Sequence, residues 1–223
     1  MIKLDLHIHS QYSEDGAGTP KEIKKILQKK GLNGMAITDH NNIKGGLKAL
    51  EERSKDFIVI AGVEISTKDG HVLALNIRED IPRGLSVEET IDKINDMNGT
   101  PVIPHLFRSM SGIKLEKLKL VKNKIPAIEV FNACSVPQSN LKTAKIAKRF
   151  NLGGTGGSDS HQPKYAGDAY TIIDTTNFSL DSIITEIQKG KTWGEGTVLP
   201  LSYRRDRMVR SVKQFFQRGF KRI

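Results

Sequence analysis

Ile2-Lys3-Leu4-Asp5-Leu6-His7-Ile8-His9-Ser10 opens the chain with an apolar alternation that ends in two histidines two residues apart. Such a run reads as a β-strand, and its period of two puts both imidazoles on one face at the C-terminal end. No glycine-rich phosphate loop follows, which argues against a dinucleotide-binding or P-loop fold. The same texture recurs downstream, with strands predicted over 34–38, 57–63, 71–77, 101–104, 127–131, 152–155 and 169–173. Between them lie helices with readable ends. Thr19-Pro20-Lys21-Glu22 is a capping box with proline at the first helical position, and Gly31 supplies the stop. Ser86–Glu89 repeats the device with Gly99 closing, and further helices are predicted over 43–53, 139–150 and 180–188. Strand, helix, strand, repeated this often, predicts parallel strands joined by crossovers, in either a doubly wound sheet or a barrel.

The six histidines fall at the strand ends. His7 and His9 close the first strand, His40 lies just past the second, His71 opens one, His105 ends one, and His161 closes Gly157-Ser158-Asp159-Ser160-His161. Carboxylates accompany them: Asp15 after His9, Glu64 after the third strand, and Asp159 two residues before His161. In a parallel barrel these ends converge on one mouth. A lone histidine is more often a core or surface residue, but a His-x-His pair with four more at matching positions points to a metal site. Imidazole nitrogen with carboxylate oxygen suits zinc, manganese or iron, whereas magnesium or calcium favours oxygen alone.

Four ordered motifs, Asp5-Leu6-His7-Ile8-His9-Ser10 with Ser13-Glu14-Asp15-Gly16, Thr38-Asp39-His40-Asn41, Pro104-His105 and Gly157–His161, resemble the PHP (polymerase and histidinol phosphatase) family of metal-dependent phosphoesterases. Gly62-Val63-Glu64-Ile65-Ser66 followed by Gly70-His71 also fits, and the resemblance covers roughly residues 2–200. It implies a distorted (β/α)7 TIM-like barrel with the metal site at the C-terminal strand ends. It also implies two or three divalent ions (Mn, Zn or Fe). Carried over by position, His7, His9, Glu64 and Asp159 would hold the first metal; Glu64, bridging, with His71 and His105 the second; Asp15, His40 and His161 the third. Leu106 stands where many relatives have proline, and the chain lacks the small inserted domain of some nucleotidase-like relatives.

Three divalent ions against three carboxylates leave about +3 for a hydroxide and a phosphoryl group, so the substrate is expected to be anionic. Asp159 is the candidate to orient the attacking water or take its proton, and His161 to protonate the leaving group. Arg108, three residues past His105, is read either as a fork for phosphate oxygens or as a solvated loop residue. Asn132 is expected to cap a turn or touch substrate, Ser10 and Ser158 to hydrogen-bond the ligands, Asp39 to orient a ligand imidazole, and Cys134 to be a small half-buried thiol. The leading activity is hydrolysis of a phosphomonoester, a nucleotide or small phosphorylated metabolite. The rivals are a nuclease cutting RNA or DNA and a non-catalytic PHP binding module.

At 223 residues, 37% apolar and 27% charged, with no linker-like stretch, the chain reads as one barrel over 1–200 plus a tail over 201–223. One cysteine excludes an internal disulfide framework. Runs such as 57–63 and 72–77 are too short to span a bilayer, and no signal peptide is expected, so the location predicted is cytoplasmic. Oligomeric state stays open. Of the net +10, the tail carries +7: Arg204, Arg205, Arg207, Arg210, Lys213, Arg218, Lys221 and Arg222 against Asp206. Met208, Val209, Val212, Phe215 and Phe216 share a helical face there. That helix is expected to dock on the barrel, to steer nucleic acid, or to meet a membrane surface or partner.

Overall fold

The structure, a computed structural model, describes residues 1–217, without the side chains at 207, 208, 210, 211, 214, 215 and 217. Nine strands form one sheet: β1 (Ile2–Ile8), β2 (Gly34–Ile37), β3 (Ile58–Ser66), β4 (His71–Leu75), β5 (Thr100–Ile103), β6 (Ala127–Asn132), β7 (Gly153–Gly157), β8 (Ala169–Ile173) and β9 (Thr192–Gly196). The helices are α1 (Pro20–Lys29), α2 (Lys44–Ala49), α3 (Val87–Asp96), α4 (Leu115–Val121), α5 (Pro137–Phe150), α6 (Leu180–Gln188) and α7 (Leu201–Gln217). In space the strands run β7-β6-β5-β4-β3-β2-β1-β8-β9.

The sheet curls into a nearly closed barrel. Past the end of β7, Asp159 N donates to His7 O (2.7 Å) and His9 N to Ser160 O (3.0 Å), which brings that end against β1. Threonine hydroxyls complete the seam: Gly156 N donates to Thr171 Oγ1 (2.8 Å), and Thr192 Oγ1 donates to Gly154 O (2.8 Å). The seam is tight enough to dictate glycine. A Cβ on Gly157 would strike the His7 side chain and come within 2.7 Å of Glu129 Oε1.

Crossovers join the parallel pairs β1–β2, β2–β3, β5–β6 and β6–β7, as the alternation predicts. Elsewhere the uniformly parallel expectation is corrected, because β3–β4, β4–β5, β1–β8 and β8–β9 are antiparallel. Between β3 and β4 only Thr67-Lys68-Asp69-Gly70 intervenes, too short for a crossover. Two elements were not predicted from the sequence: the lysine-rich α4, and β9, whose Thr-Trp-Gly-Glu-Gly reads as a turn. Both capping boxes, on α1 and α3, are present. Gly31 takes the left-handed conformation after α1, whereas after α3 Asn98, not Gly99, takes it. The β1 pattern is buried on both faces, with Leu4, Leu6 and Ile8 covered as fully as Asp5, His7 and His9.

Candidate metal centre

The mouth of the barrel is assembled from strand ends. β1 delivers His7 and, just past it, His9; the next loop delivers Asp15; His40 follows β2; β3 carries Glu64; β4 opens with His71; His105 follows β5; Asp159 and His161 follow β7. All nine predicted side chains meet there. Their donor atoms form overlapping groups within 4.8 Å: His9, Asp15, His40 and His161; His7, His105 and Asp159; His7, His9 and Glu64; and His40, Glu64 and His71. The side chains thus interlock rather than fall into three separate sets.

Glu64 is the hub, buried and engaged through both oxygens. Oε1 accepts from His71 Nδ1 (2.7 Å) and His105 Nε2 (2.8 Å). Oε2 lies 3.3 Å from His7 Nε2, 3.2 Å from His9 Nε2 and 3.3 Å from His40 Nδ1. Two imidazoles on one oxygen and three on the other is an arrangement for a carboxylate between two cations. At the rim, His161 Nε2 stands 2.9 Å from Asp15 Oδ2, while its Nδ1 donates to the Asp159 carbonyl (3.0 Å).

Electrostatics divide the imidazoles. Burial presses His7 down, but Asp159, Glu129 and Glu64 outweigh it and hold the ring well above the usual range. His9 is raised to about 9, Asp159 and Glu64 again overcoming burial. Burial drives His40 well down, and burial with the Arg108 charge takes His105 to about 3. Despite burial, the surrounding histidines keep Asp15 and Glu64 far below the ordinary carboxylate range. His40 and His105 are therefore neutral at pH 7, whereas His7 and His9 carry a proton that binding a metal would release.

The fit to metal is visible in what the protein leaves unsatisfied. His9 Nδ1 and His105 Nδ1 are buried without a hydrogen-bond partner, and His40 Nδ1 has only its 3.3 Å approach to Glu64 Oε2, which is not a hydrogen bond; polar atoms are rarely left so. Six imidazoles and three carboxylates in one dry pocket form a donor set that accepts divalent transition metals. The backbone is bent to make it: His105 (φ 29°) and Asp159 (φ 51°) both occupy the left-handed region. Strain of that kind persists only where surrounding bonds enforce it. Here His105 N donates to Glu129 Oε2 (2.9 Å) and Asp159 N to His7 O.

Glu129 was not singled out from the sequence. It lies buried beneath the mouth, accepting from His7 Nδ1 (3.0 Å), His105 N and Asn132 Nδ2 (2.9 Å). By accepting from His7 Nδ1 it fixes the ring with Nε2 facing Glu64. The signal was a charge inside Ala127-Ile128-Glu129-Val130-Phe131, since a carboxylate within a buried strand needs a partner. Asp5 does comparable work for the backbone. It accepts from His7 N, Ser158 N and Gly167 N, and burial raises its carboxyl to about 6.

Arg108 is not a solvated loop residue. Its Nη2 stands 2.5 Å from Asp159 Oδ2 and donates to Asn132 Oδ1 (3.1 Å), with a quarter of the side chain exposed at the rim. Asn132 takes the anticipated turn-capping role, accepting from Ser135 Oγ, and also donates to Asp159 Oδ2 (3.2 Å). Asp39 differs from expectation. It accepts from Ser10 N (2.6 Å) and Ser10 Oγ (2.7 Å), tying the β1 and β2 loops together, and makes no hydrogen bond to an imidazole. Ser158 Oγ bonds His7 O (3.5 Å), and Cys134 is half-buried with Sγ donating to Asp159 O (3.3 Å).

The basic tail behaves differently from the mouth. Tyr203, at the start of α7, packs with Leu199 against Ala133 and Ala169, and Arg204 Nε donates to Leu199 O (2.9 Å). Along the same helix, Val209 and Val212 are 45% and 38% exposed. The side chains of Met208, Phe215, Arg207 and Arg210, and residues Arg218, Lys221 and Arg222, lie outside the described residues. Among the described residues, no helix is long and apolar enough to cross a membrane.

A nearly closed barrel with a nitrogen–oxygen cluster at its mouth defines the class: a TIM-like barrel able to bind metal ions. Residues 5–155 match the PHP domain family and residues 137–192 the PHP-associated family, and the chain belongs to the PHP-domain family. An uncharacterized protein of Methanocaldococcus jannaschii is 38% identical over 143 residues, spanning 59% of this chain and 82% of that one. Among solved structures, a two-domain Bacteroides vulgatus protein containing a predicted PHP-like metal-dependent phosphoesterase superposes with TM-score 0.74 at 19% identity. The match covers 88% of this chain and 65% of that one, so this chain spans about two thirds of its length. The lesion-specific endonuclease PfuEndoQ of Pyrococcus furiosus superposes with TM-score 0.66 at 19% identity, covering 84% of this chain and 56% of that one. At such identities the structures share the fold.

Proposed function

We propose that this chain hydrolyses a phosphomonoester, a nucleotide or a small phosphorylated metabolite, at the barrel mouth. The observation that carries the reading is Glu64, with His71 and His105 on one oxygen and His7, His9 and His40 around the other. His7, His9, Asp15, His40, Glu64, His71, His105, Asp159 and His161 would hold two or three divalent ions, manganese, zinc or iron. Bound there, such ions supply Lewis acidity toward phosphoryl oxygens and acidify water near neutral pH.

The remaining work falls to the protein. Glu129 keeps Nε2 of His7 directed into the site, and the His161 Nδ1 bond to the Asp159 carbonyl does the same for that ring. Asp159 Oδ2, held by Asn132 Nδ2, is the oxygen to orient the attacking water or accept its proton. Arg108, seated at the rim, exchanges its Asp159 contact for the outer phosphate oxygens, which its planar fork matches. Where two ions rather than three are held, His161 Nε2 stays unligated on the Asp15 side and would return a proton to the leaving oxygen.

A second reading, cleavage of phosphodiesters in RNA or DNA, is favoured by the fold shared with PfuEndoQ and by the +7 tail. The decisive experiment offers phosphomonoesters and end-labelled single-stranded RNA and DNA side by side to manganese-loaded protein, with Asp159→Ala as blank. Free phosphate with intact oligonucleotides supports the phosphatase, and shortened oligonucleotides with little phosphate support the nuclease. Neither product, with metal bound, points to a non-catalytic binding module.

A further inference from the structure

Beside the mouth runs an open groove of about 530 Å³, formed where the β1–α1 loop meets α2 and lined by Tyr12, Asn42, Lys44 and Leu47. The loops that make it also deliver candidate ligands. Asp15 lies three residues past Tyr12, and His40 four before Lys44. Ser13 ties the two together, its Oγ donating to Asp15 Oδ1 (2.9 Å) and accepting from His40 N (3.4 Å). The groove is therefore built on the same two loops that carry Asp15 and His40 to the rim.

Its chemistry is that of a flat ring carrying an anion. Tyr12 is half-buried, and Leu47 leaves over a third of its surface open in the same groove. Exposed aromatic and aliphatic faces side by side accept a planar heterocycle, and stacking of this kind tolerates any base. The groove's acidic groups are already engaged: Glu51 pairs with Lys48 (2.8 Å), and Asp80 Oδ1 accepts from Ile43 N (2.7 Å). Lys44 has no ion-pair partner among the described residues, and its ammonium lies 5.8 Å from the centre of the Tyr12 ring. A base taking that ring face displaces the ammonium toward the substrate's phosphate or ribose oxygens. The groove's size admits a base with its sugar.

We propose that this groove is a nucleoside-binding subsite, with Tyr12 as stacking platform and Lys44 as anion contact, which makes nucleotides the preferred substrates. The proposal rests on the phosphomonoesterase reading above, and the test separates the two. A nucleoside monophosphate and ribose 5-phosphate, the same ester without a base, are compared by kcat/KM on the metal-loaded full chain and on Tyr12→Ala and Lys44→Ala. The wild-type protein is expected to favour the nucleotide, and Tyr12→Ala to lower the nucleotide-to-ribose ratio roughly tenfold, the scale of one lost stack. Equal kcat/KM for the two esters, or a ratio unmoved by Tyr12→Ala, overturns the subsite and leaves the phosphatase standing. Equilibrium dialysis with a nucleoside phosphonate, whose carbon–phosphorus bond resists hydrolysis, reads the groove independently. Weaker retention by both variants supports the proposal even if no ester is cleaved, a result that would remove the phosphatase reading alone. Equal retention by wild type and Tyr12→Ala overturns it.

Discussion

The barrel mouth and helix α7 are both conspicuous in the sequence, for opposite reasons. The tail from Leu201 onward holds seven of the ten net positive charges, yet Val209 and Val212 on its helix are partly exposed. The mouth contributes little to net charge, but nearly every buried ionisable group has a named partner: Glu64 with five imidazoles, Glu129 with His7, Asp159 with Arg108. Net charge locates a surface, whereas engagement of buried charge locates chemistry. Buried charge of this kind is kept only where it is paired, a demand that a solvated charge run does not face.

The strongest way to break this contrast is at the hub. Glu64→Ala leaves His7, His9, His40, His71 and His105 around a cavity with no carboxylate between them. Bound metal, measured by elemental analysis, should fall by at least one equivalent, and phosphate release by about a thousandfold or more. Full retention of metal and activity would mean that the mouth is not a metal centre. Next in size is Glu129→Gln, which keeps volume but removes the charge that accepts from His7 Nδ1. Metal affinity is expected to drop about 10–100-fold, the usual cost of losing a partner behind a ligand. The ¹⁵N shifts of His7 should report a ring that loses its extra proton at lower pH in the metal-free protein, whereas a purely structural role would lower thermal stability and leave that titration in place.

A smaller effect follows from His9. Its pKa of about 9 in the metal-free protein, against 6.5 for the free side chain, means that folding favours the protonated ring. The stabilisation is fully present below about pH 6.5 and is lost as pH rises through about 9. Metal must displace that proton, so His9 alone should make affinity climb by up to about tenfold per pH unit below about pH 9, its share levelling off above that while any share from His7 adds to it. Competition with a chelator of known pH dependence measures the slope. A flat profile from pH 6.5 to 9 would remove His9 from the ligand set.

The mouth was legible because its candidate ligands sit at the ends of strands whose apolar runs announce them: β1 is observed over Ile2–Ile8, as predicted, and β2 and β5, which lead to His40 and His105, over Gly34–Ile37 and Thr100–Ile103, each within a residue of the predicted bounds. Three things escaped, each for a physical reason. Glu129 sits in a strand buried on both faces, where alternation carries no signal, and only its charge marked it. β9 hides behind two glycines that are there because the neighbouring backbone comes so close; a Cβ on Gly194 would collide with Thr155 O. The antiparallel pairings lay in connection lengths such as Thr67–Gly70, which the strand–helix rhythm did not weigh. Asp39 was misassigned because adjacency to His40 in sequence is not adjacency of side chains. Its carboxylate turns to Ser10 on the neighbouring loop instead.

The smallest expected effects lie on α7, and they sharpen the comparison by contrasting two ends of one helix. Tyr203 is buried, its ring centred 4.2 Å from that of Tyr165, so Tyr203→Ala removes packing and should cost about 2–4 kcal/mol in chemical denaturation. Val212, about two and a half turns further on, is open on the helix surface. Val212→Asp should change stability by no more than about 0.5 kcal/mol, as substitutions away from packed features do. A loss comparable to that of Tyr203→Ala would mean that the apolar face is covered in solution. If that loss grew with protein concentration, the cover would be a second copy of the chain, because only association makes stability depend on concentration.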